Sequence, residues 1–452
     1  MSAKRTINVQ QLIDDSPISR FQLLIIVLCF VIVAVDGFDT AAAAFIAPAI
    51  RAEWQLAPAM LGPMFGAGLF GLMVGALVIG PFADRFGRKP LLVCSVFFFG
   101  LASLGAAWSG SITELTWWRF VTGLGLGAAM PSAITLTSEY CPQRRRSFLV
   151  TAMFCGFTLG SAMGGLLAAH LVADYGWRSV LVVGGVVPIA IAVLLLVLLP
   201  ESIRFLVMKD ERSAAAARNL ARIAPGTDFS GATFVGPQKA RGLPVQQLFS
   251  RHLVGGTLLL WLTFFMSLLV YYLLTNWLPT FINSAGATIQ QAALVTMLLQ
   301  LGGTLGGVVL GLFMDRVNPH VLLGCAYAAG ALCVTAIGYS AGVPGLLPAA
   351  VFGAGFCIAG SQIGINALAA AFYPTASRAS GVSWANGVGR SGSVVGSMVG
   401  GLLLSFNWGF DTIFAIAAIP ALLAGLAIFL KGRLQGEAPA EAAPAGEAVQ
   451  NA

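Results

Sequence analysis

Charge is scarce in this sequence. Only 10% of its 452 residues are Asp, Glu, Lys or Arg, against 58% hydrophobic, and a chain so poor in charge cannot clothe a water-soluble globule. Histidine is scarcer still: His170, His252 and His320 are the full set, each at the end of an apolar run, so no imidazole cluster exists for a metal site or a catalytic relay. The seven cysteines lie in or beside apolar segments without CxxC or other ligand spacing, and they read as small hydrophobes, not as disulfides or a metal site. HExxH, GxSxG and phosphate-loop patterns are also missing. These absences argue against an enzyme and against any metal or cofactor.

Long apolar runs are what the chain has instead. A spanning helix needs about 20 apolar residues, and stretches 21–49, 59–80, 91–109, 112–138, 147–172, 179–199, 253–283, 290–314, 320–340, 344–373, 379–405 and 410–430 meet that test. The sequence therefore predicts an all-α membrane protein with twelve transmembrane helices. An even number puts both termini on one face of the bilayer. With the N-terminus cytoplasmic, that face receives 21 of the 25 Lys and Arg residues, as the positive-inside rule requires. The net charge of +7 is thus a topology signal and implies no nucleic-acid partner. The expected location is the inner (cytoplasmic) membrane, multi-pass, with both termini cytoplasmic. The apolar run after "MSAKRTINVQQLIDDSPISR" is too long for a cleaved signal and is expected to be retained.

The chain also repeats itself. "GPFADRFGRKP" at 80–90 returns as "GLFMDRVNPH" at 311–320, and "EYCPQRRRSF" at 139–148 returns as "AFYPTASRAS" at 371–380. The expected organisation is a cytoplasmic segment 1–20, a six-helix bundle 21–199, a polar central cytoplasmic loop 200–252, a second six-helix bundle 253–430, and a disordered tail 431–452 rich in Ala, Pro and Glu. Two pseudo-symmetric parallel repeats around a central loop imply a substrate site at the midplane between them.

The first of these loop sequences resembles the motif that follows the second helix in the major facilitator superfamily, and "RFVTGLGLGAAMPSAITLTSEYCPQRRRSF", "LPESIRF" and "YPTASRASGVSWANGVGRSGSVVG" resemble the pattern shared by its sugar, organic-ion and aromatic-acid porters. "DGFDTAAAAFIAPAI" from Asp36 is similar to the first-helix signature of the aromatic acid:proton symporters, and its wording looks closest to members that import 4-hydroxybenzoate and protocatechuate. The resemblance implies uptake of an aromatic carboxylate by alternating access. A porter for sugars, polyols or other organic ions is the alternative.

The candidate residues follow from depth in the membrane. Asp36 and Asp39 are three residues apart, hence on one helix face, and a buried pair of acids is a plausible proton-coupling site. Local unwinding at the intervening Gly37 is expected. Two such acids make two-proton transport possible unless one stays paired to Arg119, and transport is expected to be electrogenic. Arg119 and Arg390 are the basic residues inside spans; Arg390, near the midplane, is expected to hold the substrate carboxylate, and Arg119 either to assist or to pair with Asp36 or Asp39. Tyr272, Asn276, Gln300, Trp384 and Asn386 supply rings and amides suited to a hydroxylated benzoate, and Phe154 aligns with Asn386 across the repeat. Asp84, Arg85, Arg88, Glu139, Arg145 and Asp315 form the expected cytoplasmic gating set. Glycine stripes at Gly156, Gly160 and Gly164 and at Gly392, Gly396 and Gly400 are expected at the moving interface between halves. The expected partners are a small aromatic carboxylate, protons and the lipid bilayer, with the chain a monomer.

Overall fold

The computed structural model describes residues 6–436 apart from 211, 228, 230–231, 236–247, 251–252, 315, 341–342, 344, 374–377 and 407; at 84, 147, 378–380 and 435–436 it describes the backbone alone. Twelve long helices run through the described residues. The first six are α1 (Arg20–Trp54), α2 (Leu61–Val78), α3 (Arg88–Ala107), α4 (Ile112–Tyr140), α5 (Gln143–Tyr175) and α6 (Trp177–Leu198). The second six are α7 (Val254–Ser284), α8 (Ile289–Met314), α9 (Pro319–Gly338), α10 (Leu346–Phe372), α11 (Arg378–Ser405) and α12 (Phe410–Gly436). Eleven of these are long and apolar enough to cross a membrane; α11, which carries Asn386, Arg390 and several serines, is the twelfth.

Helix is the required conformation here, because in hydrocarbon every backbone N–H and C=O must find its partner within the segment. The start of α1 is set by a capping box: Gln22 N donates to Ser19 Oγ and Ser19 N donates to Gln22 Oε1, at 3.3 and 2.8 Å. Inside α10, Gly355–Ala359 forms a π-helical turn, a feature that hydropathy does not reveal.

The same packing scheme serves both halves. α1 lies on α5, α2 on α4 and α3 on α6; in the second half α7 lies on α11, α8 on α10 and α9 on α12. The glycine stripes belong to these pairs. A Cβ on Gly160 would collide with the Ala34 carbonyl of α1, and one on Gly392 or Gly396 with the Phe265 or Leu269 carbonyl of α7. The glycines themselves thus bring helices together within each half, while the helices that carry them, α5 and α11, do meet the other half, as expected. Contacts between halves use other residues, where α5 meets α8, α2 meets α11 and α1 meets α7.

Those contacts cluster toward the end of the molecule opposite the chain termini. There Arg51 Nη1 donates to Ser284 Oγ at 3.0 Å, Phe65 packs edge-on against Trp277 with ring centroids 5.2 Å apart, and Gly62 and Gly66 of α2 lie against Met398 of α11. Nearer mid-depth, Thr304 Oγ1 donates to Thr158 Oγ1 at 2.5 Å.

At the termini end the stretch expected to be a polar loop is partly folded. Helices Ile203–Lys209 and Ala214–Ile223 join the helix Val9–Asp15, and β1 (Thr6–Asn8) pairs in parallel with β2 (Thr233–Val235). Val9, Ile13, Val207, Leu220, Ile223 and Phe234 share a core with Phe21, Tyr140 and Leu199. The apolar face of Ala214–Ile223, hidden in a basic stretch, is what buries it. α12 also runs past the expected boundary at 431: Lys431 is fully buried, over the Phe372 ring and 3.3 Å from His320 Nε2.

Candidate functional site

The first half holds three buried ionisable side chains in one place. Asp36 and Asp39 of α1 are each 1% exposed and Arg119 of α4 is 5% exposed. A charged Asp at the centre of a membrane helix costs about 2.5–3.5 kcal/mol on insertion scales, so each acid needs a partner or a proton. Asp39 has its partner. Arg119 Nη1 donates to Asp39 Oδ2 and Oδ1 at 3.0 and 3.2 Å, and Arg119 Nη2 donates to the Asp39 carbonyl at 3.1 Å.

Asp36 is held differently. Its Oδ1 accepts from Thr40 Oγ1 at 3.3 Å, and its Oδ2 is buried without a hydrogen-bond partner. A three-residue step turns a helix by about 300°, so the two carboxylates diverge by about 60°. That divergence sends Asp39 toward α4 and leaves Asp36 within electrostatic range of Arg390 of α11 and Tyr272 of α7. No unwinding accompanies it, contrary to expectation: α1 is continuous from Arg20 to Trp54. Gly37 is instead a contact point, where a Cβ would strike the Phe157 carbonyl of α5 and where Ser161 Oγ donates to Gly37 O at 2.8 Å.

Arg390 reaches across the interface from the second half. It is half-buried, donates from Nη1 to the Tyr272 hydroxyl at 3.4 Å, and places Nη2 3.7 Å from Met130 Sδ on α4. Around it the second half carries neutral polar networks. Tyr271 OH donates to Gln300 Oε1 at 2.9 Å, Asn276 Nδ2 to Ser397 Oγ at 2.7 Å, and Asn386 Nδ2 to Asn366 Oδ1 at 3.2 Å. A small cavity beside them is lined by Thr40, Phe65, Leu69, Arg119 and Asn276 among others.

The structure thus brings Asp36, Tyr272 and Arg390 into one group, with Asp39 and Arg119 paired beside it and Asn276 across the cavity. Gln300 and Asn386 engage other side chains of their own half. Phe154 is half-buried against the first-half core. Trp384 is exposed and stacks on Trp261, with centroids 6.0 Å apart; six residues before Arg390, it points about 120° away from it around α11. Met130 and Thr40 were not anticipated. Met130 belongs to no charged or polar pattern, whereas Thr40 is one turn from Asp36 and its spacing could have marked it.

At the termini end, Arg88 Nη1 lies 2.7 Å from Glu139 Oε1 and donates to Ser202 Oγ at 2.7 Å, while Ser202 Oγ donates to Glu139 Oε2. Glu201 Oε1 accepts from the backbone N of Arg88 and of Lys89 at 2.8 and 3.2 Å, a carboxylate on the first turn of α3 where the helix dipole favours it. Arg85 and Arg145 are exposed. Asp315 and the side chain of Asp84 lie outside the described residues. Glu201 and Ser202 are the additions here, and both belong to the "LPES" stretch.

Comparison with known proteins places this architecture. The family model described as Major Facilitator Superfamily matches residues 29–343 and 260–450. The chain is 47% identical over 436 residues to the 4-hydroxybenzoate transporter PcaK of Pseudomonas aeruginosa, covering 96% of this chain and 97% of that one. It is 46% identical over 443 residues to a gallate transporter of Pseudomonas putida, covering 97% and 98%. Among solved structures, the inward open conformation of the xylose transporter XylE from E. coli superposes with a TM-score of 0.71 at 19% identity, over 90% of this chain and 95% of that one, a likeness of fold.

Proposed function

The chain belongs to the major facilitator superfamily and is a transporter, not an enzyme, and from that premise we propose that it imports aromatic carboxylates of the hydroxybenzoate type together with protons. The observation that carries this reading is the group at the bundle interface: Arg390 with Tyr272, facing a buried Asp36 that has no ion-pair partner of its own within hydrogen-bond reach. The relatives named for 4-hydroxybenzoate and gallate supply the substrate class. The sugar or polyol alternative finds less support, since the likeness to xylose transporters is one of fold at 19% identity, and a neutral sugar gives the half-buried guanidinium of Arg390 no counter-charge.

The chemistry couples the two ligands through one arginine. An arginine fork suits a carboxylate, which it holds by paired charge-assisted hydrogen bonds. While Asp36 is ionised it competes for the field of Arg390; once protonated it leaves the guanidinium to the substrate anion. Proton and substrate therefore bind cooperatively, one of each. Asp39 takes no part in that exchange because Arg119 neutralises it in place. On this proposal Asp36 alone exchanges its proton, and one monoanion entering with one proton moves no net charge. Tyr272 steadies the guanidinium, and Met130 offers the substrate ring a polarisable thioether.

The Lys and Arg bias assigns the termini end to the cytoplasm. The packed contacts Arg51–Ser284 and Phe65–Trp277 then close the outer side, and the Arg88–Glu139–Ser202 cluster stands at the inner side. The reading is tested by uptake of labelled 4-hydroxybenzoate, gallate and xylose into proteoliposomes under an inward-directed proton gradient. Accumulation of the aromatic acids and not of xylose is expected. Equal uptake without a gradient would remove proton coupling, and xylose uptake would restore the sugar reading.

A further inference from the structure

Thr40 departs from the habit of its kind. A helical threonine ordinarily donates its hydroxyl to the carbonyl four residues back, and Thr116, Thr122, Thr135, Thr263 and Thr335 all do so here, at 2.7–3.0 Å. Thr40 donates instead to the side chain of the residue at that position, Asp36 Oδ1, at 3.3 Å. It is buried, and it lines the small cavity that Arg119 and Asn276 also line. The other carboxylate oxygen, Asp36 Oδ2, is the one left without a partner.

We propose that Thr40 is a positioning residue for proton exchange at Asp36: its hydroxyl fixes Oδ1, so that Oδ2 receives and releases the proton, and it stands between the acid and the small cavity from which the proton arrives. The inference rests on the reading of Asp36 as the coupling acid. The step is a simple transfer, in which a hydronium ion in the cavity protonates Oδ2 and the bond is later broken by release to water on the other side. The titratable groups whose charge reaches Asp36 are Arg390 from α11, Tyr272 from α7 and Asp39 from its own helix, and on α5 the Ser161 hydroxyl is spent on Gly37 O. None of them replaces a donor lost at position 40. A buried water needs two to four polar partners, and Thr40, Arg119 and Asn276 are the polar residues of this otherwise apolar lining.

The test compares Thr40→Val, Thr40→Ser and Asp36→Asn in full-length protein in proteoliposomes, with labelled 4-hydroxybenzoate as the probe. Each is measured for uptake driven by a proton gradient across a pH series and for counterflow exchange, which needs no net proton movement. Thr40→Val is expected to slow gradient-driven uptake about tenfold and to shift its pH midpoint by about one unit, with counterflow within twofold of wild type and Thr40→Ser restoring both uptake and midpoint. Thr40→Val that keeps the wild-type rate and midpoint, while Asp36→Asn has lost accumulation, overturns the role of Thr40 alone. Thr40→Val that loses counterflow as severely as uptake overturns it as well, since the residue is then structural. Full accumulation by Asp36→Asn would instead sink the reading on which the inference rests.

Discussion

The two halves share one packing scheme and differ in how they treat polarity. The first buries formal charge: Asp36, Asp39 and Arg119 lie together on α1 and α4, and Arg88 meets Glu139 at the termini end. At mid-depth the second buries neutral dipoles, Tyr271 with Gln300, Asn276 with Ser397, Tyr327 with Ser267 and Ser267 with Gln362 at 2.7 Å each for the last two, its buried Lys431 lying at the termini end. Its one midplane cation, Arg390, points out of its own half and at the other. On the proposed reading one scaffold is used twice and the chemistry is divided, with proton exchange assigned to one half and anion recognition to the other. Motion between the halves is thereby tied to whether the charges that face one another are neutralised.

The largest effect should come from the residue that bridges the halves. Arg390→Ala is expected to weaken binding of 4-hydroxybenzoate at least 30-fold, since truncating one partner of a buried charge pair costs roughly 2–5 kcal/mol. Arg390→Lys should recover little of it because the planar fork is lost. Calorimetric titration of purified, folded protein reads this, and near-normal affinity in Arg390→Ala would break the division of labour.

Next come the two aspartates, which look interchangeable in sequence. Asp39→Ala strands Arg119 in the membrane, and breaking a buried ion pair in this way costs roughly 3–5 kcal/mol. Asp36→Ala removes a group whose Oδ2 has no partner, and its cost to stability should be much smaller. Thermal unfolding in detergent is expected to separate the two variants, with Asp39→Asn combined with Arg119→Gln more stable than either Asp39→Ala or Arg119→Ala. Equal destabilisation at 36 and 39 would contradict the asymmetry.

The termini-end cluster should affect rate more than affinity. Arg88→Ala removes the contact to Glu139 and Ser202 and is expected to change turnover by about tenfold, the equivalent of about 1.4 kcal/mol in a barrier, with affinity within about threefold. In the second half the corresponding loop offers Val317, Asn318, Pro319 and His320 in place of the basic residues, and Asn318→Ala, which removes the cap on α9, should change turnover less. The smallest effect belongs to a neutral network: Tyr271→Phe loses one hydrogen bond to Gln300, worth about 1 kcal/mol of stability, and leaves the pH dependence of uptake unchanged.

Most of the architecture was legible from hydropathy, because lipid forces an apolar run of spanning length to be a helix. The repeat was legible for a related reason, since loops that punctuate equivalent helices keep their polar residues in register. What escaped was direction. A spacing of three placed Asp36 and Asp39 on one face but did not tell that 60° of divergence gives one of them to Arg119. The glycines marked close approach without naming the neighbour, which proved to be the partner helix of the same half. Trp384 and Gln300 had suitable chemistry at suitable depth, yet stacking on Trp261 and bonding to Tyr271 commit them elsewhere. The fold of 203–223 was hidden because its few apolar residues become a face only once α1 and α4 are there to receive them.

The central claim is that one proton, carried by Asp36, accompanies one aromatic monoanion, while Asp39 stays neutralised by Arg119. Its direct test is to impose a membrane potential, negative inside, on proteoliposomes at equal pH on both sides, using a potassium gradient and valinomycin, and to follow labelled 4-hydroxybenzoate. A second proton would carry one positive charge inward per cycle, worth about 2.3 kcal/mol per 100 mV, enough for roughly 50-fold accumulation. The account predicts no accumulation driven by the potential alone, alongside accumulation under a pH gradient of equal energy. Accumulation driven by the potential would contradict it and return Asp39 to the set of exchanging acids.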